Sequence, residues 1–184
     1  MISVHKSWKD LKPHKDEDGN IECFDDYYSR IKNKLGCENF PLEVFEQWIH
    51  PHHNNDETLK NYSWIDFENI QFELVEWEFD SLKDLHIIDD YREYVESKST
   101  YKDLRSFTCV DRDLKFWEEK GTWRTPPIII DVKAFLKDNP KWSELEKDYQ
   151  LVEGHSRLGY LKSIKRIDET IIAKKHKVFL LKKL

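Results

Sequence analysis

The stretch that most constrains this chain is a five-residue corner, Glu153-Gly154-His155-Ser156-Arg157, set between a strand-like and a helix-like pattern. Before it, Tyr149, Leu151 and Val152 supply the aromatic and β-branched bulk of a short buried strand. After it, Leu158, Leu161, Ile164 and Lys165 recur at helical spacing with polar residues opposite them. A glycine at such a corner lets backbone approach a ligand closely, and a serine opening a helix caps its free amides. The turn therefore offers N–H donors and the positive end of a helix dipole to an anion. Arg157, in the first turn, adds a planar fork of donors suited to phosphate oxygens. Strand-turn-helix corners holding Gly and Arg are common, so the spacing alone is not specific.

Context sharpens the reading. Upstream lies a proline-led apolar run, Thr125-Pro126-Pro127-Ile128-Ile129-Ile130-Asp131, and downstream Ala173 to Leu181 ends in Val178-Phe179-Leu180-Leu181. Phe116-Trp117-Glu118-Glu119-Lys120-Gly121 reads as a helix with a glycine stop ahead of the first run. In this order, from about Asp111 to Leu181, the blocks resemble the ParB/sulfiredoxin-like fold, whose members carry a Pro-Ile strand, then a strand ending in Gly-x-x-Arg that opens a helix, then a further strand. The resemblance implies an α+β protein, a small mixed sheet flanked by helices. In ParB-like proteins the Gly-x-x-Arg segment cradles nucleotide phosphates, which assigns Gly154, Ser156 and Arg157 to that role here. Sulfiredoxins read Gly-Cys-His-Arg; with His155 and Ser156 in the two middle positions, sulfinic-acid reduction is not implied. Many ParB-like chains read Asp-Gly-His-His-Arg, which this corner follows except at Ser156. Glu153 and His155 are then the candidate catalytic groups, as general base or metal-orienting acid, although a surface carboxylate ending a strand is the simpler account of Glu153.

Charged residues make up 36% of the chain with a net charge of -6, which disfavours a protein that coats duplex DNA by neutralising its phosphates. The charge is uneven. Lys162, Lys165, Arg166, Lys174, Lys175, Lys177, Lys182 and Lys183 gather late, whereas Asp16, Glu17, Asp18, Glu22, Asp25 and Asp26 crowd the start. The late cluster reads as a solvated face before it reads as a nucleic-acid patch. With 7 Trp and 10 Phe, the core is expected to be aromatic-rich. Met1 to Lys6 begins no signal peptide, and no apolar run approaches the roughly 20 residues that span a bilayer. Cys23, Cys37 and Cys109 are odd in number and form no Cys-x-x-Cys pair, so a reducing cytoplasm fits better than a disulfide framework.

Along the chain, residues 1–60 are expected to form a helical extension and residues 61–184 the ParB/sulfiredoxin-like domain. Residues 1–20 read as an irregular arm; Asp16, Asp18 and Asn20 hint at a calcium loop, but Ile21 stands where that loop needs glycine and Tyr27 where it needs glutamate. Phe24, Tyr27, Tyr28, Ile31 and Leu35 mark a helix face with Gly36 as its stop, and a second helix opens at Pro41 and ends before Pro51. The run from His50-Pro51-His52-His53 to Glu57 has the residue types of a transition-metal site at a spacing that matches no closed site; a polar loop accounts for it as well. Ile70, Phe72 and Leu74, then Val75, Trp77 and Phe79, alternate as a strand with a slip of phase between Leu74 and Val75. Ser81 with Asp84 has the form of a capping pair, and Tyr91, Val95, Leu104 and Phe107 mark helical faces up to a cap at Asp111. Arg105, Arg112 and Arg124 are near enough in sequence to face a phosphate, or simply lie on the surface.

The expected function is nucleotide binding, of ATP or another NTP with Mg²⁺, joined to phosphoryl transfer or hydrolysis. Two alternatives are a non-catalytic interaction protein, toxin-neutralising or regulatory, whose partner is another protein, and a nuclease or DNA-associated protein. No membrane is implied as a partner.

Overall fold

The computed structural model of the chain describes residues 2–34 and 36–184. Helices precede the sheet in sequence: α1 (Lys6–Asp10), α2 (Phe24–Ile31), α3 (Leu42–Val44), a π-helical turn (Phe45–Ile49), α4 (His50–His52) and α5 (Asp56–Tyr62). There follow β1 (Ile70–Trp77), α6 (Phe79–Lys83), α7 (Asp89–Ser99), α8 (Asp111–Lys120), β2 (Ile128–Asp131), β3 (Tyr149–Glu153), α9 (His155–Ile167) and β4 (His176–Lys183). The four strands form one small mixed sheet in the order β1-β4-β2-β3, so the expected α+β class holds. No helix among the described residues is long and apolar enough to cross a membrane.

The chain groups into two compact units, one of Met1–Phe72, Val132–Glu146 and Leu181–Leu184, the other of Glu73–Asp131 and Lys147–Leu180. The first is held by an aromatic core, as the Trp and Phe content leads one to expect. The Trp8 ring stacks on His53, 4.7 Å away and 7° from parallel, and packs at 5.0 Å on Phe67. Trp48 meets Tyr62 edge-on at 5.6 Å, and Phe40 meets Phe72 at 4.8 Å. Each such ring, fully buried, contributes about 1.5–3 kcal/mol by leaving water.

Helix boundaries in this unit differ from the sequence expectation for local reasons. α2 stops at Ile31, short of Gly36, whose positive φ of 84° serves a separate turn where a Cβ would come within 2.6 Å of the Glu68 Cα. Leu35 lies outside the described residues. The helix opened at Pro41 runs through Pro51 rather than ending before it, because the His50 amide reaches back five residues to the Phe45 carbonyl. That widened turn is where a helix accepts a residue lacking an N–H and carrying a ring that otherwise strikes the preceding turn.

The second unit is built around α9. Leu158, Tyr160, Leu161 and Ile164 are buried together with Phe107, Trp117, Trp123, Ile129 and Val178. The Tyr160 ring stacks on Phe107 at 4.2 Å, while its hydroxyl meets Thr108 Oγ1 at 2.9 Å, so both faces of this residue's chemistry are used. α8 ends in Gly121 at φ 61°, the glycine stop that the sequence suggested. Ser81 and Asp84 do not form an N-terminal capping pair: Ser81 lies inside α6 and Asp84 ends it, after an ion pair between Lys83 and Asp80 at 2.7 Å. Asp111 falls in the first turn of α8 with Val110 before it as the cap residue. In β1 the burial changes phase between Glu73 and Leu74, one residue before the expected slip, so Leu74 is exposed rather than on the buried face of Ile70 and Phe72, while the strand itself runs on unbroken.

At the start of β4, His176 is fully buried, its Nδ1 2.9 Å from the Thr122 hydroxyl and its ring 5.3 Å from Trp123. Burial pushes its pKa down to about 4 from an ordinary 6.5, and burial lowers that of His53 too. The His176 ring stays neutral in the folded chain while the unfolded chain takes up a proton near pH 6.5. The resulting stability is present above pH 6.5 and drains as pH falls toward 4. Urea unfolding followed between about pH 7 and pH 4 is expected to lose on the order of 2–3 kcal/mol to His176 alone. A His176→Asn chain, less stable at neutral pH, is expected to show a shallower decline; an equal slope in both chains would contradict this assignment.

Candidate functional site

β2 and β3 run antiparallel with Ile128 opposite Glu153, which sets the end of β3 beside the Pro126-Pro127 entry to β2. Gly154 follows in a left-handed conformation, φ 110° and ψ 23°, as the cap residue of α9. Only glycine fits there. A Cβ would stand 2.5 Å from the Pro127 Cβ and 3.1 Å from the Arg157 Nη2, besides being strained by the positive φ. The Gly154 carbonyl accepts the first helical hydrogen bond, from Leu158 N at 2.9 Å, and no side chain caps the helix.

Ser156 is therefore not the capping residue that the sequence suggested. It lies within the first turn, where its hydroxyl meets the Tyr94 hydroxyl at 2.8 Å. The His155 ring packs at 4.3 Å on Tyr91, the two planes 40° apart. Arg157 folds back over the corner, and its Nη2 forms an ion pair with Glu153 Oε2. The pair is half-buried, the two side chains being 22% and 23% exposed, so water screens it less than a surface pair. All five sequence-predicted residues thus share one corner, with the carboxylate already engaged by the guanidinium.

Tyr91 and Tyr94 come from α7, and their contact with the corner was only partly legible: Tyr91 was expected on a helix face, and Tyr94 was not singled out. The available signal was a pair of tyrosines three residues apart on an otherwise charged helix, which places both rings on one side. α7 can lie this close to α9 because residue 159 is glycine. A Cβ there would overlap the Lys98 side chain and stand 2.9 Å from the Val95 carbonyl.

The other candidates are elsewhere. Arg124 Nε donates to Asp113 Oδ1 at 2.6 Å, Arg112 is exposed 4.0 Å from the same carboxylate, and Arg105 is exposed in a 3₁₀ turn. His50 Nε2 lies 2.9 Å from the Glu22 carbonyl and His53 Nε2 2.8 Å from the Trp8 carbonyl, so two imidazoles of the His50–His53 run tie helices to backbone rather than sitting in a loop. Among the described residues no group of three or more His, Cys, Asp or Glu side chains could hold a metal ion. Asp16 accepts from the Asn20 amide at 2.8 Å in a tight turn bridged by Lys15 and Ile21.

Comparisons of the chain with protein-family models, with curated proteins and with solved structures find no significant match.

The corner geometry makes Gly154→Ala the most informative structural substitution. It is expected to cost about 2 kcal/mol or more from positive φ and overlap with Pro127 together, lowering Tm by several degrees. Thermal unfolding followed by circular dichroism checks this; an unchanged Tm would mean the corner relaxes freely.

Proposed function

We propose that the Glu153–Arg157 corner binds the phosphates of a nucleotide, ATP or another NTP with Mg²⁺, in a ParB/sulfiredoxin-like protein that transfers or hydrolyses a phosphoryl group. The observation that carries this reading is the left-handed Gly154, which brings bare backbone, the α9 amino end and the Arg157 guanidinium to one point. A phosphate there meets helix N–H groups, the positive dipole end and a bidentate cation. With no protein cluster able to hold a metal among the described residues, Mg²⁺ would arrive on the phosphates, whose charge it offsets.

The ion pair gives the mechanism its order. A triphosphate oxygen competes with Glu153 for Arg157, and the displaced carboxylate is then the natural base to take a proton from the attacking hydroxyl or water. His155, beside it on the first turn, is the second candidate for that proton, its ring oriented by Tyr91. Ser156, whose hydroxyl meets that of Tyr94 at 2.8 Å, would exchange that contact for a phosphate oxygen.

A second reading has support from the same pair. Glu153 with Arg157, and Ser156 with Tyr94, satisfy the corner internally, as expected of an interaction protein that has the fold without the chemistry. The two readings separate experimentally. Calorimetric titration with ATP, CTP and GTP in the presence of Mg²⁺ is expected to show binding of at least one, weakened about 10-fold to 100-fold in Arg157→Ala. Glu153→Gln is expected to bind the same nucleotide as tightly or more so, having lost the competing carboxylate, while releasing no phosphate. Failure of the unaltered chain to bind any of the three leaves the interaction protein as the better reading.

A further inference from the structure

Away from the Gly154 corner, the second unit holds a cavity of about 380 Å³. Its size lies in the range of small-molecule sites. One wall exists because the His86 backbone pairs with β3, accepting from Leu151 N at 2.9 Å and donating to the Tyr149 carbonyl at 3.1 Å. The opposite wall is a face of α7 that recurs every three or four residues, Arg92, Val95, Glu96 and Ser99. Lys162, from the third turn of α9, and Lys147, ahead of β3, complete the lining.

The charges in this cavity are out of balance. Arg92 has a partner outside it, Asp89 at 2.6 Å. Neither Lys147 nor Lys162 makes an ion pair among the described residues, although Glu96 also lines the cavity. Lys162 is half-buried, and burial holds its ammonium below the usual lysine range, with Asp84 and Glu96 only partly offsetting that from a distance. A cation taken out of water without a hydrogen-bonded counter-ion is destabilising, and an anion brought to it removes that cost. The floor differs in kind: Leu85, Ile87 and Val95 are buried apolar side chains facing the same space.

We infer that this cavity binds a small amphipathic organic anion, its phosphate or carboxylate head against Lys162, Lys147 and Arg92 and its apolar body against Leu85, Ile87 and Val95. Glu96 and Ser99 then select for a hydroxyl or amine on the body, since the carboxylate accepts a hydrogen bond and repels a second anionic head while the hydroxyl donates or accepts. The site is distinct from the Gly154 corner and does not depend on the nucleotide reading.

The test is calorimetric titration of the full chain with phenyl phosphate, benzoate and inorganic phosphate at low ionic strength, where the lysine charges are least screened. Phenyl phosphate or benzoate is expected to bind, the tighter of the two identifying the head, and inorganic phosphate at least several-fold more weakly. Lys162→Met is expected to weaken the better ligand at least tenfold, and Arg157→Ala to leave it unchanged. Should Lys162→Met disturb the circular dichroism spectrum, the exposed Lys147→Ala gives the same reading, with a loss of several-fold. Absence of binding by both aromatic anions, binding unaltered by both lysine substitutions, or inorganic phosphate binding as tightly as phenyl phosphate would overturn the inference. Nucleotide binding that persists in Lys162→Met, or that fails while phenyl phosphate binds, separates this site from the corner.

Discussion

The second unit depends on a steric exclusion at one backbone position. Residue 154 has a left-handed φ and stands where a methyl group would press on Pro127. That exclusion lets β3 end beside the entry to β2 and turn at once into α9, so strand, corner and helix are set by a single residue. Everything attributed to the corner follows. The guanidinium of Arg157 can lie over the backbone because nothing projects from it, and the amino end of α9 is open because its cap residue has no side chain to close it.

The Glu153–Arg157 pair reads differently according to what it is compared with. Against a solvated carboxylate and guanidinium its net stabilisation is modest, since both groups surrender part of their hydration. Against an empty corner it is substantial, because a half-buried cation over a helix amino end is repelled by the dipole and needs an anion. A carboxylate supplied from the last residue of β3 meets that need with one charge and two oxygens. A phosphate group meets it with more charge and more acceptors, and can accept from the helix amides at the same time. The internal pair is thus compatible with a parked state that a ligand relieves and with a permanent structural clasp; the difference lies in whether a competing anion can reach the guanidinium.

How much of this was legible depended on whether the cause was local. The strand at Tyr149, the glycine stop at Gly121 and the helix after the corner were readable because periodicity and glycine position act within a few residues. The cap falls on Gly154 rather than Ser156 because a left-handed glycine and a serine both open helices; two residues further in, the serine hydroxyl meets Tyr94, 62 residues away in sequence. Continuation of the helix through Pro51 was equally invisible, since it needs a π-helical turn that no residue type announces. The histidine run was ambiguous by composition alone, and packing against Trp8 and the Glu22 carbonyl gave two of its imidazoles structural partners. Of the corner, the five residues were legible and their internal pairing was not, because opposite charges four residues apart across a strand end meet only when the turn between them is tight.

Net charge is a poor guide to a chain arranged this way. The overall value of -6 argues about long-range behaviour in solution, where counter-ions average it away beyond roughly 10 Å. A ligand entering a half-enclosed space responds to the few groups within that distance. α9 carries cationic groups at Arg157 and Lys162, and α7 packs along it closely enough that Gly159 has no room for a methyl. Tyr94 on Ser156 near one end and Val95 against Gly159 in the middle fix the register of the two helices. The corner and the cavity therefore rest on one helix pair: a shift of α7 by one turn along α9 would remove the tyrosines from the corner and Arg92 and Glu96 from the cavity together. The small residue that permits close packing is, on this argument, as much a determinant of both sites as the charged residues that line them.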